Sequence, residues 1–212
     1  MKYEDFIRAL VSESKRIYGV EFNLESVLIG VRGITVESGL VFTNKDERNK
    51  YNDRMFRIDV GANSWGSWRD TMDPGFVPKD QESKFLNPKG LGRIEPGLYR
   101  YMLGIHKGHV ALVQASFVTL RRDKDKNLIW DHNDPLDKGK FGVDIHASSR
   151  KKEDVDLSSV ACTTFWSGWD DPEWKSFIQP MQSEASSKPK DWQGWPYIVF
   201  NQETAKEILK CA

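Results

Sequence analysis

Two apolar runs meeting across one tight turn constrain this chain most. Leu98 to His106 and His109 to Arg121 are rich in aromatic and β-branched residues, and Lys107-Gly108 joins them. Two such runs with a two-residue, glycine-containing connection form a β-hairpin. The second run, V-A-L-V-Q-A-S-F-V-T-L, reads as the strongest strand of the chain. A long hairpin must bury its apolar face against a sheet or helices, so the remaining segments have to supply partners.

Residues 3–18 carry Tyr3, Phe6, Ile7, Leu10, Val11, Ile17 and Tyr18 at largely helical spacing, and Gly19 follows as a stop. Val27–Ile34, Met55–Val60, Lys140–Ala147 and Tyr197–Phe200 read as strands. Residues 43–50 read as a polar linker and residues 61–97 as a Gly- and Pro-rich loop region. Asp171-Pro172 opens a short helix with Trp174, Phe177 and Ile178 on its apolar face. Residues 181–196 read as a polar loop, and Thr204–Lys210 as a closing helix. This pattern predicts a mostly β, α+β protein with a twisted or barrel-like mixed sheet, peripheral helices and an N-terminal helix. Residues 1–50 form an N-terminal helix and strand packed on a main domain at 51–212.

The 31 basic and 31 acidic residues cancel. A neutral balance gives no global field for nucleic acid, so no nucleic-acid partner is expected. The opening M-K-Y-E-D-F-I-R-A-L carries acids and bases throughout, unlike a signal peptide or a membrane span. The expectation is synthesis in a cytosol, release by some other agent, and no membrane insertion. Two cysteines make no disulfide framework, and Cys211, next to last in the chain, is not expected to bridge to Cys162. No G-x-G-x-x-G, phosphate loop or H-E-x-x-H occurs, which removes the main sequence support for nucleotide-dependent and zinc-protease chemistry.

The chemistry-bearing stretch is Phe141–Phe165. F-G-V-D-I-H-A places His146 at the end of an alternating run, and Cys162 follows sixteen residues later. A thiol nucleophile needs a lowered pKa, from a neighbouring imidazole or from backbone N–H groups aimed at the sulfur. His146 is the natural general base, and Ser158 and Ser159 could orient it or help hold an oxyanion. The N–H groups of Ala161 and Cys162 are candidate oxyanion donors. The tripeptide Val160-Ala161-Cys162 also fits inert packing, since free cysteine is among the most buried residues.

Two further clusters invite metal readings. His106 and His109 flank the hairpin turn, with no Cys or acidic cluster nearby to complete a tetrahedral zinc site. Asp123, Asp125, Asn127, Asp131 and Asp134 sit at the offsets of a twelve-residue calcium loop. Leu128 occupies the position that needs Gly, and Asp134 replaces the bidentate Glu, so a solvated loop is the preferred reading. Neither metal nor cofactor is expected.

Several short segments recur in a known order. They are Tyr51-Asn52-Asp53, Asp73-Pro74-Gly75, Pro96-Gly97-Leu98-Tyr99, His106-Lys107-Gly108, Ala111-Leu112-Val113-Gln114, Arg122-Asp123, Phe141 to His146 and Ser159 to Cys162. This series resembles phage and prophage proteins related to the L,D-transpeptidases, over roughly residues 25–200. The resemblance implies Cys162 as nucleophile, His146 as base and Ser159 as the signature serine. It places His106, Lys107, Asp144 and Ala161 in the substrate and oxyanion region. Ala161 stands where the signature has Gly, and Thr163 stands directly after the cysteine, where transpeptidases often carry Arg. A left-handed backbone at Ala161 would cost roughly 1–2 kcal/mol. The implied activity is cleavage of peptidoglycan stem-peptide or cross-link amides, in the manner of an endolysin. The alternatives are an L,D-transpeptidase proper and a catalytically inactive wall-binding or virion-associated relative.

Overall fold

The computed structural model describes residues 1–22, 25–85 and 87–210; Cys211 lies outside them. Along the chain run α1 (Tyr3–Tyr18), β1 (Val27–Val31), β2 (Ile34–Glu37), β3 (Leu40–Thr43), β4 (Asp53–Asp59), β5 (Ser64–Thr71) and the single turn α2 (Glu82–Phe85). Then come β6 (Leu91–Ile94), β7 (Gly97–His106), β8 (His109–Gln114), β9 (Val118–Asp123), β10 (Leu136–Gly139) and β11 (Ile145–Ser148). The chain finishes with β12 (Thr163–Gly168), α3 (Pro172–Ser186), β13 (Trp195–Phe200) and α4 (Gln202–Lys210). The protein is mixed α+β and mostly β. Eight strands close a barrel in the order β1-β13-β7-β8-β11-β12-β5-β4, with β4 returning to β1. Two neighbouring pairs, β1 with β13 and β11 with β12, are parallel, and the other pairs are antiparallel. A three-stranded sheet β10-β9-β6 and the β2–β3 hairpin lie outside the barrel.

The strand expected at 27–34 is a stave of the barrel, between β4 and β13, and it stops at Val31. Its residues are buried on both faces. Leu28 joins the barrel core with Met55, Tyr197 and Val199, while Val27, Ile29 and Val31 pack with Phe6, Leu10, Ala205 and Ile208 of α1 and α4. The N-terminal segment therefore completes the main sheet and covers it. α1 ends at Gly19, whose left-handed φ of 62° closes the last turn onto Lys15 O. Gly30 has no room for a side chain, because a Cβ would strike Met72 Sδ and the Tyr197 hydroxyl.

The Lys107-Gly108 turn has positive φ at both residues (49° and 86°), the requirement of a type I′ hairpin, and pairs His106 with His109. The run 109–121 is two strands. Ala115 and Ser116 donate their N–H groups to Arg100 O, and Ser116 Oγ accepts from Arg100 N. That corner sends β9 out of the barrel into the three-stranded sheet. Of the strand expected at 140–147, only the part from Ile145 joins the ladder. Gly142 has a φ of 69°, and Phe141 and Val143 donate to the Gln114 side-chain oxygen instead of a neighbouring strand. β5 and β6 fall within the region read as loops. The helix expected to be short continues through Pro180 to Ser186, held by the buried stripe Trp174, Phe177, Ile178 and Met181. Asp171 precedes that helix, but its carboxylate caps the Gly168 N–H and makes no side-chain cap bond to the helix. No helix among the described residues is long and apolar enough to cross a membrane.

Just past β1, Arg32 (2% exposed) is sunk in the interior and binds Asp73 Oδ1 (3.0 Å), Met72 O (3.3 Å) and Ile94 O (2.7 Å). Arg93 shares the same Asp73 oxygen at 2.6 Å. Together the two guanidinium groups tie β1, β6 and the end of β5. Removing one partner of such a set leaves buried groups unsatisfied, so Arg32→Ala should destabilise by about 3–5 kcal/mol, read from urea unfolding midpoints. A loss below about 1 kcal/mol, the range of an exposed ion pair, would contradict the network.

Candidate active site

The sixteen-residue spacing between His146 and Cys162 is the length of a parallel crossover. β11 ends at Ser148, residues 149–162 pass outside the ladder, and β12 begins at Thr163 beside β11. A parallel pair needs a connection of about a dozen residues or more. The register aligns Ile145 with Thr163 and His146 with Thr164. One step before that ladder, Asp144 lies beside Cys162. Thr163 N donates to Asp144 O (3.0 Å), and Asp144 N donates to Cys162 Sγ (3.4 Å). The thiol in turn faces Gly142 O at 3.6 Å.

This register explains what His146 touches. Its Nδ1 lies 2.7 Å from Ala147 O, so Nδ1 carries the proton, and Nε2 accepts from Thr164 Oγ1 at 3.3 Å. Both ring nitrogens have partners, and neither partner is the thiol. Burial, with the His106 ring beside it, lowers the His146 pKa to about 4. Cys162 is 8% exposed, and burial pushes its thiol up to about 12. In this arrangement the thiol is protonated and the His146 imidazole neutral.

Asp144 is the joint of the cluster. Besides its N–H on the sulfur, its Oδ2 holds His106 Nδ1 at 2.9 Å, and its Oδ1 accepts from Gln114 N at 3.3 Å. His106 comes from the end of β7, across the hairpin tip. Its Nδ1 is protonated toward the carboxylate, and its Nε2 is buried without a hydrogen-bond partner. The His106 ring stacks on His146 with centroids 4.1 Å apart and planes within 9°. Trp169 extends the stack, 5.9 Å from His146 and 4.4 Å from His109. His106 and His109 thus face different neighbours across their hairpin.

A cleft of about 220 Å³ opens on this stack, lined in part by His106, Lys107, His146, Ser158, Lys152 and Trp169. Cys162, Ala161 and Asp144 are not on its wall. Ser159 donates its hydroxyl to Cys162 O at 2.7 Å, which fixes the turn before β12 and contacts neither histidine. Ala161 is not at positive φ, so no left-handed strain attaches to alanine at this place. Sequence reasoning missed Trp169, Thr164 and the bridging role of Gln114. Gln114 closes β8 directly before the corner at Ala115 and Ser116, a position that gives no local signal of its use. Compared with protein-family models, curated proteins and solved structures, the chain matches none.

The depressed His146 pKa has a consequence with a definite sign. The unfolded histidine gains its proton near pH 6.5, while the folded one resists to about 4. Its contribution to stability is full above about 6.5 and falls as pH drops toward 4, by on the order of 3 kcal/mol. The stability of wild type relative to His146→Phe should decline over that window, measured by chemical unfolding at stepped pH. A difference constant with pH would contradict the buried, neutral imidazole.

Proposed function

We propose that the protein is a thiol-dependent acyl-transfer enzyme of the L,D-transpeptidase type that hydrolyses amide bonds of peptidoglycan stem peptides. The observation that carries this reading is the Asp144–His106 pair beside Cys162. A carboxylate holds one nitrogen of an imidazole and leaves the other free, while the same residue's N–H rests on the sulfur. Such an orienting group, base and nucleophile are the parts of a catalytic triad. The ordered motifs shared with the transpeptidase-like phage proteins support the substrate class. Lys107 at the cleft rim supports it also, since stem peptides carry free carboxylates.

The base in this reading is His106, and His146 serves as the flat platform on which it stacks. His106 Nε2 takes the Cys162 proton as the sulfur bonds to the amide carbonyl carbon. The C–N bond then breaks, and the same proton passes to the leaving amine. Water attacks the thioester, gives its proton to His106, and releases the carboxylic acid; that proton returns to the sulfur. Because the resting thiol is buried and held protonated, substrate entry must first widen the cleft toward Cys162.

The test is mass spectrometry of fragments released from purified peptidoglycan. Cys162→Ala should abolish release. His106→Ala should lower kcat by about 10²–10⁴-fold, and His146→Phe by less than tenfold. Release undiminished in Cys162→Ala would end the thiol mechanism, and a larger loss in His146→Phe than in His106→Ala would return the base to His146. A second reading, an inert wall-binding relative, is favoured by one observation: Cys162 does not reach the cleft wall. It predicts that wild type sediments with peptidoglycan and releases nothing.

A further inference from the structure

The loop after β9 gathers three carboxylates that the proposed acyl transfer does not use. Asp123, Asp125 and Asp134 each offer an oxygen within 4.8 Å of the others, and 4.8 Å is about twice a Ca–O bond. Acidic clusters on surfaces are common, but Asp123 is not on the surface. It is 1% exposed, and its Oδ1 has no hydrogen-bond partner. Among the described residues no lysine or arginine forms an ion pair with any of the three. A buried carboxylate oxygen without a partner, set among other carboxylates, is costly unless a cation neutralises it.

The loop is already folded around that centre. Leu128 N donates to Asp123 Oδ2 at 3.1 Å, and Asn127 N to Asp125 Oδ1 at 3.2 Å. Asp134 reaches back to accept from Lys124 N at 3.1 Å. Leu128, at the place where a calcium loop has glycine, takes a φ of 67°. The departure that told against a calcium loop in the sequence is therefore met by the backbone itself. Asp134, buried and reaching back to the first turn, stands in the closing position. Asp123 also borders a cavity of about 620 Å³, which leaves a route to the site.

We propose that Asp123, Asp125 and Asp134 bind a calcium ion, a site separate from the Cys162 cluster. Oxygen-only ligands at this spacing suit a large, hard divalent cation, and water or backbone carbonyls complete its shell. With three carboxylates the affinity falls in the range of about 10⁻⁵–10⁻³ M. The ion would pin the β9–β10 connection at both ends, since Asp123 closes β9 and Asp134 lies two residues before β10.

The test uses the full chain, stripped with a chelator. Trp130 lies inside the loop and donates to Leu91 O at 3.2 Å, so it should sensitise terbium luminescence from an ion bound there. The expected result is terbium emission displaced by calcium, and a calcium-dependent rise in Tm. Asp125→Asn, on an exposed ligand that folding does not require, should weaken calcium binding at least tenfold in calorimetry. Trp130→Phe should keep the calcium affinity and lose the emission. No calcium heat with wild type, unchanged affinity in Asp125→Asn, or magnesium binding as tight as calcium would overturn the assignment. None of these readouts depends on peptidoglycan or on Cys162.

Discussion

The parallel pairing of β1 with β13 is the constraint on which the rest of this structure depends. It joins residues 28–31 to residues 197–200 and closes the sheet on itself. Closure removes the open edges that a long antiparallel hairpin such as β7–β8 would otherwise present. It also fixes the faces. Alternate residues of β1 and β13 point into the barrel core, and the others receive α1 and α4. Arg32 leaves β1 at this seam and reaches Asp73 in the interior, so the seam is held by apolar packing and by a buried ion pair at once.

The second parallel pair, β11 with β12, assembles the cluster around Cys162. Its register sets Asp144 against Cys162 and His146 against Thr164. Because partners in a parallel ladder share a face, all four side chains gather on one side, and the hairpin tip delivers His106 to the same place. A single residue, Asp144, then touches both the sulfur and an imidazole. His146, two positions further along, is satisfied by Ala147 O and Thr164 and is left neutral by burial. The imidazole with an open nitrogen is His106. In the proposed mechanism, burial keeps the Cys162 thiol inert until the cleft is widened.

Much of the frame was legible in the sequence. Strong periodicity located α1, and the Lys107-Gly108 dipeptide located the hairpin. What the sequence hid were features decided by tertiary partners. β5 alternates weakly because one end of it faces solvent, and S-W-G-S-W-R-D-T resembles a loop. The run from His109 looked continuous because nothing local announces that Arg100 O will capture two successive N–H groups at 115 and 116. The helix opened by Asp171-Pro172 reads as short, with a polar loop from residue 181, yet the buried face on either side of Pro180 carries α3 onward to Ser186. At the site, the sequence offers His146 and Cys162 as a pair but marks no strand after the cysteine; β12 and its parallel pairing with β11 appear only in the fold. The spacing could not give the register, and the register is what turns His146 toward Thr164 and Asp144 toward the sulfur. The acidic run 123–134 reads as a solvated loop because Leu128 stands where glycine is needed and Asp134 replaces the bidentate Glu; the left-handed backbone of Leu128 appears only in the folded loop.

Under the proposed function, Cys162 is a nucleophile held in reserve beside an oriented His106. Intact-protein mass spectrometry after rapid mixing with a soluble stem-peptide fragment, followed by acid quench, tests it most directly. The expected result is an added acyl mass that maps to the peptide bearing Cys162 and accumulates when water attack is slowed. No adduct at any mixing time, from a fragment shown to bind the cleft, would contradict it.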